Sequence, residues 1–257
     1  MKSFDFVICI PARYQSSRLP GKPLIKLNGK ELILWALESA HRLGAREVTV
    51  ATDDERIYDC VTAHGYDVVM TDCNHLTGTD RIAECAAIKG WTDDTWVLNF
   101  QGDEPDIPRR NVEQVLQLIQ QKPSAAMGTL YQPITHLEDV FDSNVVKVVV
   151  DDNHQALYFS RAPIPWSQSN FNQQAKRLPD NVVYKRHIGL YVYKVSFLHQ
   201  FSRLPVAEIE QCESLEQLRA LSAGEQIVVA KAVCDMPHGI DTAEDVMRFE
   251  LRNQHQS

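Results

Sequence analysis

The 257-residue sequence has no run approaching the ~20 apolar residues that a membrane span requires, so no membrane insertion is expected. It has no C-x-x-C pair, and its six cysteines and nine histidines fall into no zinc-finger spacing. Most of those cysteines (Cys9, Cys60, Cys73, Cys85, Cys212, Cys234) sit in apolar patterns, where a thiol packs as a small hydrophobe. Positive charge is also scarce, with 26 Lys and Arg against 34 Asp and Glu, a net charge of −8. A grip on a nucleic-acid backbone usually rests on a basic face, so no nucleic-acid partner is expected. A nucleotide pocket needs only a few local cations and stays open. The N-terminal stretch lacks a basic region and a small-residue cleavage site, which makes cytoplasmic the expected location. Internal repeats and low-complexity segments are missing as well.

What is present is enough apolar sequence, 44%, to bury a large core. Phe4–Ile10 reads as a buried strand ended by Pro11, and Ala12–Lys26 as a long aperiodic loop, a length that is usually functional. Helices are expected over Glu31–Leu43, Asp54–His64, Thr79–Ile88 and Asn111–Gln121, with strands at Glu47–Ala51, Asp67–Met70 and Thr95–Phe100. This alternation predicts an α/β fold, a mostly parallel central sheet with helices on both faces. The second half changes character. Val145–Val150 and Gln155–Phe159 flank the turn-forming Asp151–His154, which suggests a hairpin inside a mixed α+β insertion. Pro163–Lys176 reads as a mobile loop and Tyr184–Tyr193 as a strand. Ile209–Leu221 reads as one helix, Ile227–Val233 as a strand, and Thr242–Leu251 as a final helix capped by Thr242. One compact domain is expected over 1–257, with a nucleotide-binding half at about 1–135, a sugar-binding and dimerisation subregion at about 136–225, and a return to the core at about 226–257.

Ligands of parallel α/β sheets bind beyond the carboxyl ends of the strands. The loops after Ile10 and after Phe100 both leave such ends. The first, Pro11 to Leu24, carries Arg13, Arg18 and Lys22 among Gly and Pro residues. Guanidinium forks, an ammonium and accessible backbone N–H groups suit a triphosphate; a solvated basic loop is the plainer reading. The pattern is neither a P-loop nor a dinucleotide fingerprint. The second loop, Gln101-Gly102-Asp103-Glu104-Pro105, offers a carboxylate fit either for Mg²⁺ against phosphate or for a turn. Asp241, also preceded by Gly, leaves the same choice.

The P-A-R-x-x-S-x-R-L-P-G-K-P-L segment resembles the signature loop of 3-deoxy-manno-octulosonate (Kdo) cytidylyltransferases, of the nucleotide-diphospho-sugar transferase type. Further matches follow in order: Val50–Asp53, Thr77–Arg81, Asn99–Pro105, Val145–Val148, Tyr158–Ala162, Arg186–Gly189, Leu215–Arg219 and Gly239–Thr242. The resemblance implies coupling of CTP to an acidic eight-carbon sugar, giving a CMP-sugar and pyrophosphate for lipopolysaccharide synthesis. It implies Asp103 and Asp241 as Mg²⁺ ligands, and Ala12, Arg13, Arg18, Lys22, Thr79, Arg81 and Gln101 as the CTP site. Arg13, Lys22 and Asp103 would act in catalysis. Arg161, His187, Glu213 and Gln217 would hold the sugar, Glu213 and Gln217 standing four apart on one helix face. Lys147, in the alternating strand Val145–Val150, could simply point to solvent and is not counted among the site residues. The family is commonly homodimeric.

Asp106, Phe100, Thr77 and Asp80 depart from the usual family residues. Asp106 lies either on the surface or toward the sugar, where it would favour an amino-substituted analogue of Kdo. Alternatives are a sialic-acid cytidylyltransferase, a glycosyltransferase, which would need a D-x-D motif that Gln101-Gly102-Asp103 does not supply, and a non-catalytic nucleotide-binding module.

Overall fold

The computed structural model describes residues 4–15, 19–171, 177–237, 239–240 and 242–253. In chain order the elements are β1 (Phe6–Ala12), β2 (Lys26–Leu27), β3 (Lys30–Glu31), α1 (Leu32–His41), β4 (Glu47–Thr52), α2 (Glu55–Ala63), β5 (Asp67–Met70), α3 (Gly78–Lys89), β6 (Trp96–Asn99) and α4 (Arg109–Gln120). There follow β7 (Met127–Pro133), α5 (Leu137–Phe141), β8 (Lys147–Val150), β9 (Ala156–Ser160), β10 (Lys185–Lys194), α6 (Val195–Phe201), α7 (Glu208–Glu213), α8 (Gln217–Ser222), β11 (Ile227–Lys231) and α9 (Ala243–Asn253). They form two compact units. One comprises Met1–Val112, Tyr193–Ser202 and Met236–Ser257; the other comprises Glu113–Val192 and Arg203–Asp235. No helix of the described residues is long and apolar enough to cross a membrane.

The first unit is built on parallel strands in the order β6-β1-β4-β5. Val7 to Ile10 of β1 are fully buried, as a central parallel strand covered on two faces must be. The chain steps outward from β1 through β4 to β5, and α3 then carries it back to β6 on the other side of β1. Right-handed crossovers put α1 and α2 on one face and the returning α3 on the other. The step reverses between β1 and β6, so the crevice at their carboxyl ends is the place where this topology binds ligands. Local chemistry sets the helix starts. Asp54 accepts from Arg56 N at 3.0 Å to cap α2, and Thr77 Oγ1 accepts from Asp80 N at 3.1 Å to cap α3. Thr242 caps α9 as expected, accepting from Asp245 N at 3.3 Å while the Asp245 carboxylate accepts from Thr242 N at 2.9 Å. Helix α9 then buries Phe249 among Leu27, Leu32 and Ile240, edge-on to Trp35 at 5.4 Å.

In the second unit β11 runs parallel to β7, β7 is bonded to β10, and the expected hairpin β8–β9 pairs antiparallel with β10 through β8. Asp151 closes its turn by accepting from Asn153 N at 2.9 Å and Gln155 N at 2.7 Å. The described part of Pro163–Lys176 is anchored, since Tyr184 Oη donates to Pro165 O at 2.8 Å and Phe171 stacks on Tyr184; residues 172–176 lie outside the described residues. The single helix expected over Ile209–Leu221 is instead two. Ser214 adopts a left-handed φ of 52°, ending α7 before α8 begins. Glu213 and Gln217 therefore stand on different helices, not on one face.

Candidate active site

The expected CTP residues that are described, Ala12, Arg13, Lys22, Thr79, Arg81 and Gln101, all belong to the first unit. Ala12 ends β1 and is buried. Arg13 follows, and its Nη2 donates to the His75 carbonyl at 2.5 Å, joining the cationic loop to the segment that leads into α3. His75 is itself held by Glu84, whose carboxylate lies 2.5 Å from its Nε2. Lys22 opens a short 3-10 turn after Gly21, whose φ of 68° suits glycine. The Lys22 Nζ meets Asp103 Oδ2 at 2.5 Å, pairing the loop after β1 with the loop after β6. Gln101 donates to Asn99 Oδ1 at 3.1 Å. Thr79 is buried in the first turn of α3. Arg81, also in that turn, is 0% exposed. Its guanidinium donates to Asp53 at 2.8 Å and to Thr71, so Asp53 is there to neutralise a buried cation. Arg18 and Asp241 lie outside the described residues. The chain just before Asp241 is described: Ile240 N donates to the Asp103 carbonyl at 2.9 Å. A Cβ on Gly239 would stand 3.4 Å from Glu104 Cγ and 3.9 Å from Asp103 Cγ. Residues 239–240 thus pack directly on the Asp103 segment. No cluster of three or more metal-type ligands occurs among the described residues.

The second unit gathers the expected sugar residues. Arg161 Nε donates to the Glu213 carbonyl at 2.7 Å, Nη1 to Ser143 O at 2.9 Å and Nη2 to Ser214 O at 3.4 Å. The Glu213 carboxylate accepts from Ser160 Oγ at 2.5 Å and from Arg161 N at 2.9 Å, binding the end of β9 to the end of α7. Gln217 is buried in the first turn of α8. His187 lies between Phe159, edge-on at 4.9 Å, and Tyr191 at 5.3 Å. Part of its surface remains accessible, yet this packing governs its titration: burial first, then the Arg186 charge, pull its pKa down to about 3. The imidazole is neutral at physiological pH.

A family model described as cytidylyltransferase matches residues 7–227. A 3-deoxy-manno-octulosonate cytidylyltransferase of Xanthomonas euvesicatoria pv. vesicatoria is 48% identical over 249 residues, 96% of each chain. The enzyme named 3-deoxy-manno-octulosonate cytidylyltransferase 1 in Hydrogenovibrio crunogenus is 44% identical over 95% of this chain and 94% of its own. The solved structure of a CMP:2-keto-3-deoxy-manno-octonic acid synthetase complexed with CTP superposes with a TM-score of 0.87 at 39% identity, over 99% of this chain and 100% of that one. The chain belongs to the Kdo cytidylyltransferase family.

Several motifs that carried the family resemblance have fold-holding roles. Asp53 of the V-A-T-D match neutralises Arg81, and Thr77 of T-G-T-D-R caps α3. Arg219 of L-E-Q-L-R is clasped by Glu210. Lys147 of V-V-K-V is the residue whose place the sequence left open. It is not solvent-facing but 0% exposed. The signal was a lone lysine in an otherwise valine-rich strand.

Proposed function

We propose that this chain transfers the cytidylyl group of CTP to the anomeric hydroxyl of Kdo, using Mg²⁺ and releasing pyrophosphate. What supports the reading is the Lys22–Asp103 ion pair beside the Ile240–Asp103 backbone bond, two contacts that tie the cationic loop and the residue before Asp241 in the sequence to the Asp103 loop. The hydroxyl oxygen forms a bond to the α-phosphorus, the bond to the β-phosphate oxygen breaks, and the hydroxyl proton is lost. Positioning and charge stabilisation carry such a transfer.

Lys22 and Arg18 would hold the β- and γ-phosphates, and Arg13, braced by the His75 carbonyl, the α-phosphate. Gln101 and the first turn of α3 would face the cytosine, with Arg81 fixing that turn from beneath. The donor set fits a hard divalent ion: Asp103 has a partly exposed carboxylate, Asp241 follows Ile240 directly, and Mg²⁺ characteristically takes one or two carboxylates with phosphates and water. When bound, Mg²⁺ neutralises phosphate charge and makes the attacking hydroxyl more acidic. On the sugar side, Arg161 would meet the carboxylate of Kdo, with His187, Glu213 and Gln217 serving the rest of the acid sugar. Asp106 is exposed, which gives no support to a cationic amino analogue. A homodimer is the assembly the family implies, measurable by light scattering.

The test is pyrophosphate release with CTP and a panel of Kdo, 8-amino-Kdo and sialic acid. Asp103→Asn is expected to lower kcat by at least ~10²-fold, the scale for losing a preorganised electrostatic group. Lys22→Ala is expected to raise the KM for CTP more than that for the sugar. Normal turnover of Asp103→Asn, or activity that survives chelation of divalent ions, would remove the metal-site reading. No release with any sugar would leave a binding module.

A further inference from the structure

Lys147 opens β8, a strand otherwise made of valines, and it is completely buried. A buried ammonium is costly unless its donors are met. Its three protons find three backbone carbonyls: Asp142 O at 2.8 Å, Val145 O at 2.6 Å and Arg161 O at 2.6 Å. None of these acceptors is a carboxylate. Burial draws its pKa below the usual lysine value; the Asp142 and Glu213 charges oppose that shift and the Arg161 charge adds to it.

The acceptors are the informative part. Lys147 is in register with Ser160 on β9 and with Arg186 on β10, so the residues one step further along, Arg161 and His187, lie on either side of its neighbour Val146, whose carbonyl accepts from His187 N at 2.8 Å. Lys147 grips the backbone of Arg161 directly. It also grips both ends of the 142–145 turn, and that turn supplies the Ser143 carbonyl on which Arg161 Nη1 rests. The Nε and Nη2 of Arg161 lie on the Glu213 and Ser214 carbonyls at the end of α7, where a cation is favoured. Three of its five N–H donors are thereby used within the described residues. One donor remains on each terminal nitrogen, and a guanidinium can offer such a pair to a carboxylate bidentately.

We propose that Lys147 is a positioning residue for the acid sugar: its ammonium tripod fixes Arg161 and the Ser143 turn so that the guanidinium presents that pair to the sugar carboxylate. The proposal rests on reading Arg161 as the carboxylate ligand. A tetrahedral ammonium can meet three converging carbonyls, and the planar guanidinium of an arginine cannot. Charge alone should therefore not suffice at position 147.

The experiment is a kinetic cycle on the full-length enzyme with CTP and Kdo, using Lys147→Met, Lys147→Arg, Arg161→Ala and the Lys147→Met/Arg161→Ala double variant, with folding followed by thermal melts. Lys147→Met is expected to raise the Kdo KM by roughly tenfold or more, the scale of a lost charge-assisted contact, while the CTP KM stays within about twofold. Arg161→Ala should raise the Kdo KM at least as much, and the double variant should match Arg161→Ala within about twofold, because the two residues act as one unit. Independent, multiplying effects would overturn the proposal, as would a parallel rise in both KM values. A raised Kdo KM in Arg161→Ala with a normal one in Lys147→Met would also overturn it while leaving the sugar site standing. An unchanged Kdo KM in Arg161→Ala would remove the sugar-site reading and the proposal together. If Lys147→Met does not fold, Lys147→Arg makes the same comparison, and a normal Kdo KM in that variant would refute the tripod.

Discussion

The tautomer of the neutral His187 ring follows from one hydroxyl. Thr129 Oγ1 donates to the Ile188 carbonyl at 2.9 Å, so toward His187 Nε2, 3.2 Å away, it has only a lone pair to offer. The ring proton must then sit on Nε2, leaving Nδ1 as an acceptor suited to a sugar hydroxyl. The depressed pKa has a consequence for stability. Between about pH 6.5, where the unfolded histidine titrates, and about 3, where the folded one does, the unfolded chain binds the extra proton. The contribution of His187 to stability is complete above that window and is lost as pH falls through it, at up to about 1.4 kcal/mol per pH unit. Urea unfolding at pH 7 and pH 5 should show wild type losing more stability on acidification than His187→Gln does; identical losses would mean the folded ring titrates normally. Kinetics of His187→Asn, whose amide lies near the Nδ1 position, should retain more Kdo affinity than His187→Gln.

At the scale of elements, α7 and α8 show why some of the fold was hidden in the sequence. The apolar spacing from Ile209 to Leu221 fits a continuous helix, and Ser214 carries no glycine-like warning of its left-handed turn. The break is paid for by tertiary contacts: Arg219 Nε and Nη2 reach the Glu210 oxygens at 2.9 and 2.7 Å, with both side chains buried. Strand β7 was hidden for a similar reason. It contains Gly128 and ends at Pro133, residues that argue against a strand. A Cβ on Gly128 would stand 3.2 Å from Ile119 Cβ on α4, the helix just before β7, a tight helix-on-strand approach that periodicity does not record. By contrast α9 announced itself through Thr242, whose cap is local, and the caps that Asp54 and Thr77 supply to α2 and α3 are equally local. The Glu210–Arg219 pair gives the prediction at this scale. Arg219→Ala strands a buried carboxylate and should cost about 3–5 kcal/mol in urea unfolding, whereas Glu210→Leu/Arg219→Met, which removes both charges, should recover most of that loss. Equal destabilisation by the single and double variants would show that the pair is not an isolated buried bridge.

At the scale of the whole chain, the site in the first unit depends on residues more than a hundred positions apart. The order of motifs revealed the cationic loop, Gln101–Pro105 and Gly239–Thr242 as a set, but how the last joins the first two is set by packing. Residues 239–240 lie on the Asp103 segment, and just beyond them α9 inserts Phe249 beside Ile240, Leu27 and Leu32, edge-on to Trp35. The ring of Phe249 therefore anchors Ile240, the residue before Asp241 in the sequence. Phe249→Ala removes a fully packed aromatic and should destabilise the protein by about 3–5 kcal/mol, the usual range for such a cavity. If Asp241 is a metal ligand, the same substitution should raise the Mg²⁺ concentration needed for half-maximal activity, measured at a temperature where the variant remains folded. The Kdo KM should stay near the wild-type value, since the expected sugar residues belong to the second unit. Phe249→Leu, which refills most of the volume, should restore both stability and the Mg²⁺ requirement. A variant that loses stability with an unaltered Mg²⁺ profile would show that α9 supports the fold without positioning a metal ligand.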